Sequence, residues 1–113
     1  MTNIPLLLVG RGLIDLANDM GELGAQDKVT PILAIDPEDA LSVYSNKGPR
    51  LMAVVLEPEA EEAYRQLTDA GYRGAFLVYG EETEKWFERG ITFLDPGDHE
   101  RDNYNKIMQR LLE

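Results

Sequence analysis

An uninterrupted apolar run, Leu51–Leu56, is followed directly by Glu57 and Pro58. A short run of this kind predicts a β-strand covered on both faces, because a strand with one face in water alternates apolar and polar residues. Strands of parallel sheets in α/β domains have such cover, and open α/β sheets bind ligands at the carboxyl ends of their strands. The third strand, Leu51–Glu57, is therefore predicted to be central and to place Glu57 at the functional edge.

Apolar runs and helical patterns alternate along the whole chain. The predicted strands are Ile4–Val9, Val29–Ile35, Leu51–Glu57, Ala75–Tyr79 and Ile91–Leu94. After each strand, apolar residues recur at helical spacing. These predicted helices begin near Leu13, Pro37, Pro58, Glu81 and Asp98, and the last one runs to Leu112. The pattern predicts one α/β domain, residues 1–113, with a flavodoxin-like (βα)5 three-layer sandwich and a parallel five-stranded sheet in the order 2-1-3-4-5.

Composition excludes several classes of function. The chain has 21 acidic and 11 basic residues, a net charge of −10, which argues against nucleic-acid and anionic-membrane surfaces because these are bound through clustered Lys and Arg. With no cysteine and a single histidine, His99, we expect no disulfide, no thiolate chemistry and no His-based metal site. The sequence shows neither a membrane helix nor a signal peptide, so we expect a cytoplasmic protein.

Several strand ends resemble those of response-regulator receiver domains, the CheY-like family. Val54–Glu57 is similar to the receiver's third strand, which ends in the phospho-accepting aspartate. Leu94–Pro96 is similar to the lysine-proline end of the fifth strand, and Leu77–Glu81 to the fourth-strand segment that ends in threonine or serine and then alanine. Asp39–Leu41 resembles the glycine-x-x-alanine-leucine segment of the second helix. The resemblance covers nearly the whole chain and implies the CheY-like fold and bacterial two-component signalling.

The chain departs from the receiver pattern at each position that carries chemistry. Gly10 and Arg11 stand where receivers have two Mg²⁺-binding acids, and Glu57 stands at the phospho-acceptor position. Tyr79 replaces the threonine and Asp95 the lysine. Phosphoryl transfer needs Mg²⁺ and a further cation to neutralise developing charge, and neither is provided here. The resemblance therefore implies a degenerate pseudo-receiver that is not an enzyme and that uses no metal or cofactor.

The role of the three charged edge residues stays open at this point. One hypothesis is that Arg11 replaces the metal by bridging Glu57 and Asp95, a pairing that would cost about 3–5 kcal/mol to break if it were partly buried. The alternative is that all three side chains point into water and contribute about 0–1 kcal/mol. Glu57 is also interpreted either as a mimic of phosphorylated aspartate or as a simple helix-start acid beside Pro58.

Aromatic residues suggest where a partner would bind. Trp86 and Phe87 are adjacent on the predicted fourth helix, so they point about 100° apart, and one is expected to be buried and the other exposed. Receivers use the face formed by helix 4, strand 5 and helix 5 for dimers and partners. The resemblance therefore implies a homodimer or protein-partner interface containing Trp86, Phe93 and Tyr104. The alternative is that these residues only pack the core and its rim.

Two function classes follow. The main hypothesis is a non-phosphorylatable signalling or scaffolding module that acts through protein–protein contact. The alternative is a small ligand-binding or enzymatic domain that uses Arg11, Glu57 and Asp95, although no nucleophile–base pair accompanies them. A third hypothesis is an N-terminal regulatory domain of a longer protein, since the sequence ends directly after the fifth helix.

Overall fold

The computed structural model describes residues 4–26, 28–47, 53–80, 83–89 and 91–111. Its parallel strands are β1 (Ile4–Val9), β2 (Val29–Ala34), β3 (Ala53–Leu56), β4 (Ala75–Tyr79) and β5 (Thr92–Leu94). Its α-helices are α1 (Ile14–Leu23), α2 (Pro37–Lys47), α3 (Glu61–Asp69), α4 (Glu84–Phe87) and α5 (Glu100–Leu111). A 3-10 turn, Arg11–Leu13, links β1 to α1. The strand order is β2-β1-β3-β4-β5, which confirms the predicted CheY-like, flavodoxin-like architecture.

The strand bounds lie close to those predicted from the apolar runs. β1 and β4 have the predicted bounds, whereas β2 and β5 are each one residue shorter. Leu51 and Met52 of the apolar run lie outside the described residues, so β3 is described from Ala53. It ends at Leu56, and Glu57 follows directly after it.

Helix starts differ more from prediction. α1 begins at Ile14, one residue late, because the preceding turn is a 3-10 turn. α3 begins at Glu61 and not at Pro58, because the segment after β3 forms a turn closed by a hydrogen bond from the Ala60 N–H to the Glu57 carbonyl at 3.0 Å. Residues 81 and 82 of the predicted fourth helix and residue 112 of the fifth lie outside the described residues.

Two apolar clusters hold the helices against opposite faces of the sheet. Because successive strand residues point to opposite faces, Leu7 and Val54 enter one cluster, and Leu6 and Val55 enter the other. The first cluster buries residues of α2, α3 and α4, namely Ala40, Ala63, Leu67 and Trp86. The second buries residues of α1 and α5, namely Leu16, Met20, Tyr104 and Ile107. Every residue of β3 is buried, as the uninterrupted apolar run predicts for a central strand.

The start of α2 lies at the functional edge and is capped as predicted. The Asp39 N–H donates to Asp36 Oδ1 at 2.8 Å, so Asp36 satisfies one of the free N–H groups of the first turn. The Ile35 N–H donates in return to Asp39 Oδ2 at 3.3 Å. Pro37 is the first residue of the helix, where its lack of an N–H costs nothing.

We expect Asp36→Ala to lower the free energy of unfolding by about 1 kcal/mol, because the first turn of α2 loses its side-chain acceptor. The measurement is urea unfolding followed by circular dichroism. Glu38→Ala is the matched control: Glu38 is an exposed acid in the same turn, and removing it should cost only about 0.3–1 kcal/mol through the helix dipole. A smaller loss for Asp36→Ala than for Glu38→Ala would contradict the capping role.

Candidate functional site at the carboxyl edge of the sheet

The strand order places the loops after β1, β2 and β3 next to each other. The Gly10 N–H donates to the Ala34 carbonyl at 2.8 Å, and the Glu57 N–H donates to the Val9 carbonyl at 3.4 Å. These bonds continue the sheet beyond the ends of its strands and bring Gly10 beside Glu57. The sequence correctly predicted that both residues lie at this edge.

Glu57 lies over the loop that follows β1. Its half-buried carboxylate accepts a hydrogen bond from the Gly12 N–H, with 3.1 Å between Gly12 N and Glu57 Oε1. Gly10 has a φ angle of 130°, which disfavours any residue with a side chain. A Cβ atom at position 10 would also overlap the Glu57 carboxylate.

Gly10 and Glu57 therefore form a matched pair. The Glu57 carboxylate fills the space in which a side chain at position 10 would start, and this is where receivers carry a metal-binding acid. Sequence reasoning treated these two positions separately and missed the pairing. The sequence did contain a signal for this pairing: a glycine, Gly10, follows β1, and a glutamate, the longer of the two acidic residue types, follows the neighbouring strand β3.

The hypothesis that Arg11 bridges Glu57 and Asp95 is wrong. Within the described residues, Arg11 is exposed and forms no ion pair with either Glu57 or Asp95. Each carboxylate instead accepts from a backbone N–H close by: Glu57 from Gly12, and Asp95 from Gly97 at 2.8 Å. Backbone donors already held in place by the fold cost less entropy than ordering a long arginine side chain between two loops.

Tyr79 ends β4 and packs on the face covered by α1 and α5. Partial burial raises the pKa of its hydroxyl, and the negative charges of Asp19, Asp15 and Asp95 raise that pKa further. Tyr79 thus keeps its proton at neutral pH. A protonated phenol acts as a hydrogen-bond donor and not as a base or a nucleophile.

The hypothesis that Trp86 anchors an exposed interface is wrong. Its side chain is fully buried, whereas 69% of Phe87 is exposed, so the expectation that one of the two is buried and the other exposed is confirmed. Of the other residues assigned to that face, Tyr104 is buried and Phe93 is partly buried. The indole takes the inner position because its N–H donates to the Pro58 carbonyl at 2.9 Å, a bond that phenylalanine cannot make.

Trp86 connects α4 to the loop that carries Glu57. Besides bonding to Pro58, its ring packs edge-on against Tyr64 of α3, with 5.4 Å between ring centroids. The Arg89 guanidinium lies 5.0 Å from the Trp86 ring centroid and 4.8 Å from that of Tyr64. This contact was not predicted, since the two partners of the hydrogen bond are 28 residues apart.

A cleft of about 340 Å³ opens beside Glu57, between the starts of α2 and α3. We call it the α2–α3 cleft; Ile35, Pro37 and Ala60 line it together with Glu57 and Glu59. In the described ranges, no group of three or more His, Cys, Asp or Glu side chains is arranged to hold a metal ion. The edge therefore combines an open cleft with carboxylates that are not arranged as metal ligands in the described residues.

Comparison with known proteins identifies the class of fold. No protein-family model matches the chain, and no curated protein gives a significant sequence match. Among solved structures, the receiver domain of the hybrid histidine kinase CckA matches with a TM-score of 0.71 and 15% identity, over 95% of this chain and 98% of that one. A receiver domain protein from Bacillus halodurans matches with a TM-score of 0.70 and 8% identity, over 96% and 97% of the two chains.

The chemotaxis response regulator CheY4 of Vibrio cholerae matches with a TM-score of 0.65 and 15% identity, over 97% of this chain and 99% of CheY4. The chain thus has the CheY-like receiver fold along nearly its whole length. At these identities the likeness concerns the fold, and function has to be argued from the residues at the edge of the sheet.

Proposed function

We propose that the protein is a pseudo-receiver: a signalling or scaffolding domain of the bacterial cytoplasm that acts through protein–protein contact without phosphoryl transfer. The observation that carries this proposal is the packing of the Glu57 carboxylate over Gly10 and onto the Gly12 N–H. It fills the region in which receiver chemistry needs a metal-binding side chain.

Charge at the edge supports the same proposal. A phosphoryl group at Glu57 would need cations to neutralise its oxygens. Asp95 adds a negative charge at the position of the receiver's lysine, and Arg11 extends into solvent. The edge thus disfavours both the formation and the retention of a phosphorylated state.

The competing proposal, a small ligand-binding or catalytic domain built on Arg11, Glu57 and Asp95, has less support. Both carboxylates are bound to backbone N–H groups of nearby loops, and Arg11 contacts neither of them through an ion pair in the described part of the chain. Three groups that do not converge on one point cannot act together on one substrate.

We also propose a homodimer or protein-partner contact at the face formed by α4, β5 and α5, but the residues that would make this contact differ from those expected from the sequence. Phe87 is its exposed aromatic residue, and Phe93 is partly accessible. Trp86 and Tyr104 support this face from inside the core. None of the described helices has the length and apolar character needed to cross a membrane.

The test is incubation with acetyl phosphate and Mg²⁺, followed by intact-mass analysis and NMR. We expect no phosphoryl adduct and no Mg²⁺-dependent shift of the Gly10 and Gly12 amide signals, because in the described part of the chain no group of acidic or histidine side chains is arranged to hold the metal. A receiver domain with both loop acids, the aspartate and the lysine is the positive control. An adduct at Glu57 under the same conditions would overturn the proposal.

A further inference from the structure

We propose that the α2–α3 cleft binds a lysine or arginine side chain from a basic segment of a protein partner. This inference rests on the proposed function, since it assumes that the domain acts through protein contact, and it adds the surface and the chemistry of the partner. It is carried by the shape of the cleft, its apolar wall and the charges on its rim.

The wall of the cleft is aliphatic. Val9, Ile35, Pro37, Ala60 and Ala63 line it. Ile35 is 49% exposed and is one of three large apolar residues that are exposed in the described part of the chain. An open aliphatic surface next to charged groups suits the methylene stem of a long charged side chain, which buries its carbons and keeps its head near water.

The rim of the cleft is acidic. Asp36, Glu57, Glu59 and Glu62 line it, against the single base Arg11. Asp36 is bound to the Asp39 N–H, and Glu62 to the side chains of Arg65 and Gln66.

The remaining two carboxylates have capacity for a further donor. Glu59 forms no hydrogen bond or ion pair within the described residues, and Glu57 uses one oxygen for the Gly12 N–H. A carboxylate accepts several hydrogen bonds, so Glu57 and Glu59 can both receive an N–H from a cationic head group.

This combination selects among ligand classes. An anion would meet four carboxylates and one arginine, and a purely apolar group would strip water from carboxylates without pairing them. The described carboxylates form no metal-binding cluster. A cation on an aliphatic stem can pack its carbons against the aliphatic wall and pair its charge with the carboxylates of the rim.

The occupant is a segment and not an isolated residue, because negative charge continues around the cleft. Further exposed acids, Glu38 and Asp39, follow Asp36 and Pro37 in the first turn of α2. Neighbouring lysines or arginines of a basic segment would face these acids, and the net charge of −10 would speed their approach.

The experiment titrates the protein with a heptapeptide in which three lysines alternate with leucines, and follows amide shifts by NMR. Two matched peptides separate the parts of the proposal. One carries norleucine in place of lysine and keeps the stem without the charge; the other carries diaminobutyrate and keeps the charge on a shorter stem. We expect both to bind about tenfold more weakly than the lysine peptide.

We expect the lysine peptide to shift the amides of Gly10, Gly12, Ile35 and Ala60, which surround the cleft. Equal binding of the norleucine peptide would overturn the proposal, because the charge would then be irrelevant. Equal binding of the diaminobutyrate peptide would overturn it as well, because the aliphatic wall would then be irrelevant. Shifts confined to another surface would do the same.

Protein variants give a second test, in which two substitutions are expected to change the affinity in opposite directions. Glu59→Gln should weaken binding of the lysine peptide about threefold, and Arg11→Gln should strengthen it about twofold, since a competing cation is removed. Glu22→Gln, an exposed acid in the last turns of α1, is the matched control and should leave affinity unchanged. Failure of this test with no phosphoryl adduct at Glu57 would remove the cleft proposal alone, whereas an adduct would remove the pseudo-receiver proposal.

Discussion

Replacing Trp86 with alanine should lower the free energy of unfolding by about 3–5 kcal/mol, the cost of deleting a fully buried aromatic side chain. The change removes the hydrogen bond to the Pro58 carbonyl, the edge-on contact with Tyr64 and the ring beneath Arg89. Because α4 spans only Glu84–Phe87, it has little internal helical stability and depends on this anchor.

The measurement is urea unfolding followed by circular dichroism, since Trp86 is the single tryptophan and its loss removes the main fluorescence signal. Phe87→Ala is the matched control: an adjacent aromatic residue on the same short helix, 69% exposed, whose loss should cost less than about 1 kcal/mol. Equal destabilisation by the two alanine variants would contradict the assignment of Trp86 to the core and Phe87 to the surface.

Trp86→Phe keeps the fold measurable if the alanine variant is too unstable to analyse. This change retains an aromatic ring but leaves the Pro58 carbonyl without its N–H donor, so a loss of about 1–3 kcal/mol is expected. The same variant should shift the amide signals of Glu57 and Ala60, because the loop after β3 loses its contact with α4.

The second large effect is expected at Gly10. Gly10→Ala should lower the free energy of unfolding by about 2–4 kcal/mol, for two reasons. The φ angle of Gly10 disfavours a side chain, and the new Cβ atom would overlap the Glu57 carboxylate. The loss of stability is measured by chemical denaturation of Gly10→Ala, of Glu57→Ala and of the double variant that carries both changes. In a Glu57→Ala background the overlap is removed, so the cost of Gly10→Ala should fall by about 1 kcal/mol or more.

A control with the opposite sign distinguishes this effect from a general cost of Gly→Ala. Gly21 lies inside α1, and a Cβ atom there would make an ordinary 3.5 Å contact with Pro31. Gly21→Ala should therefore raise stability by up to about 1 kcal/mol through helix propensity. If Gly10→Ala costs the same with and without the Glu57 side chain, the two positions are not coupled, and the pairing at the edge is wrong.

This coupling bears on the proposed function. An aspartate introduced at position 10 would overlap the present position of the Glu57 carboxylate, so the Glu57 side chain would have to move before a metal-binding loop could form. The edge is held in its present form by at least two positions, Gly10 and Glu57, which lie on different loops. The hydrogen bond between these loops joins Gly12 and Glu57, which are 45 residues apart in the sequence.

Much of the fold could be predicted because its signals are local. The apolar runs Ile4–Val9 and Ala75–Tyr79 match β1 and β4 residue for residue, since burial on both faces leaves a continuous apolar segment. The start of α3 was misplaced because Pro58 is equally suited to a first helical turn and to the turn that the chain forms. The loop is held there by Trp86, a contact that no local pattern contains.

The candidate site also has a part that the sequence predicts, the location of its residues, and a part that it does not, their hydrogen-bond partners. That Gly10, Glu57 and Asp95 lie at one edge follows from the parallel direction of the strands, which the alternation of apolar runs and helical patterns predicts. Which groups bind each other does not follow. Arg11 and Glu57 have opposite charges and lie on adjacent loops, yet the carboxylate binds the Gly12 N–H, which the 3-10 turn after β1 already holds in position.

The apolar run before Glu57 thus sufficed to predict a buried parallel strand and the edge at which it ends, because strand burial depends on a pattern of neighbouring residues. Tertiary packing alone decided that Glu57 covers Gly10, that Trp86 is buried while Phe87 is exposed, and that an acidic cleft opens beside α3. These outcomes depend on which donors, acceptors and surfaces meet across distant segments, and hydrogen-bond and packing energies are set by that geometry.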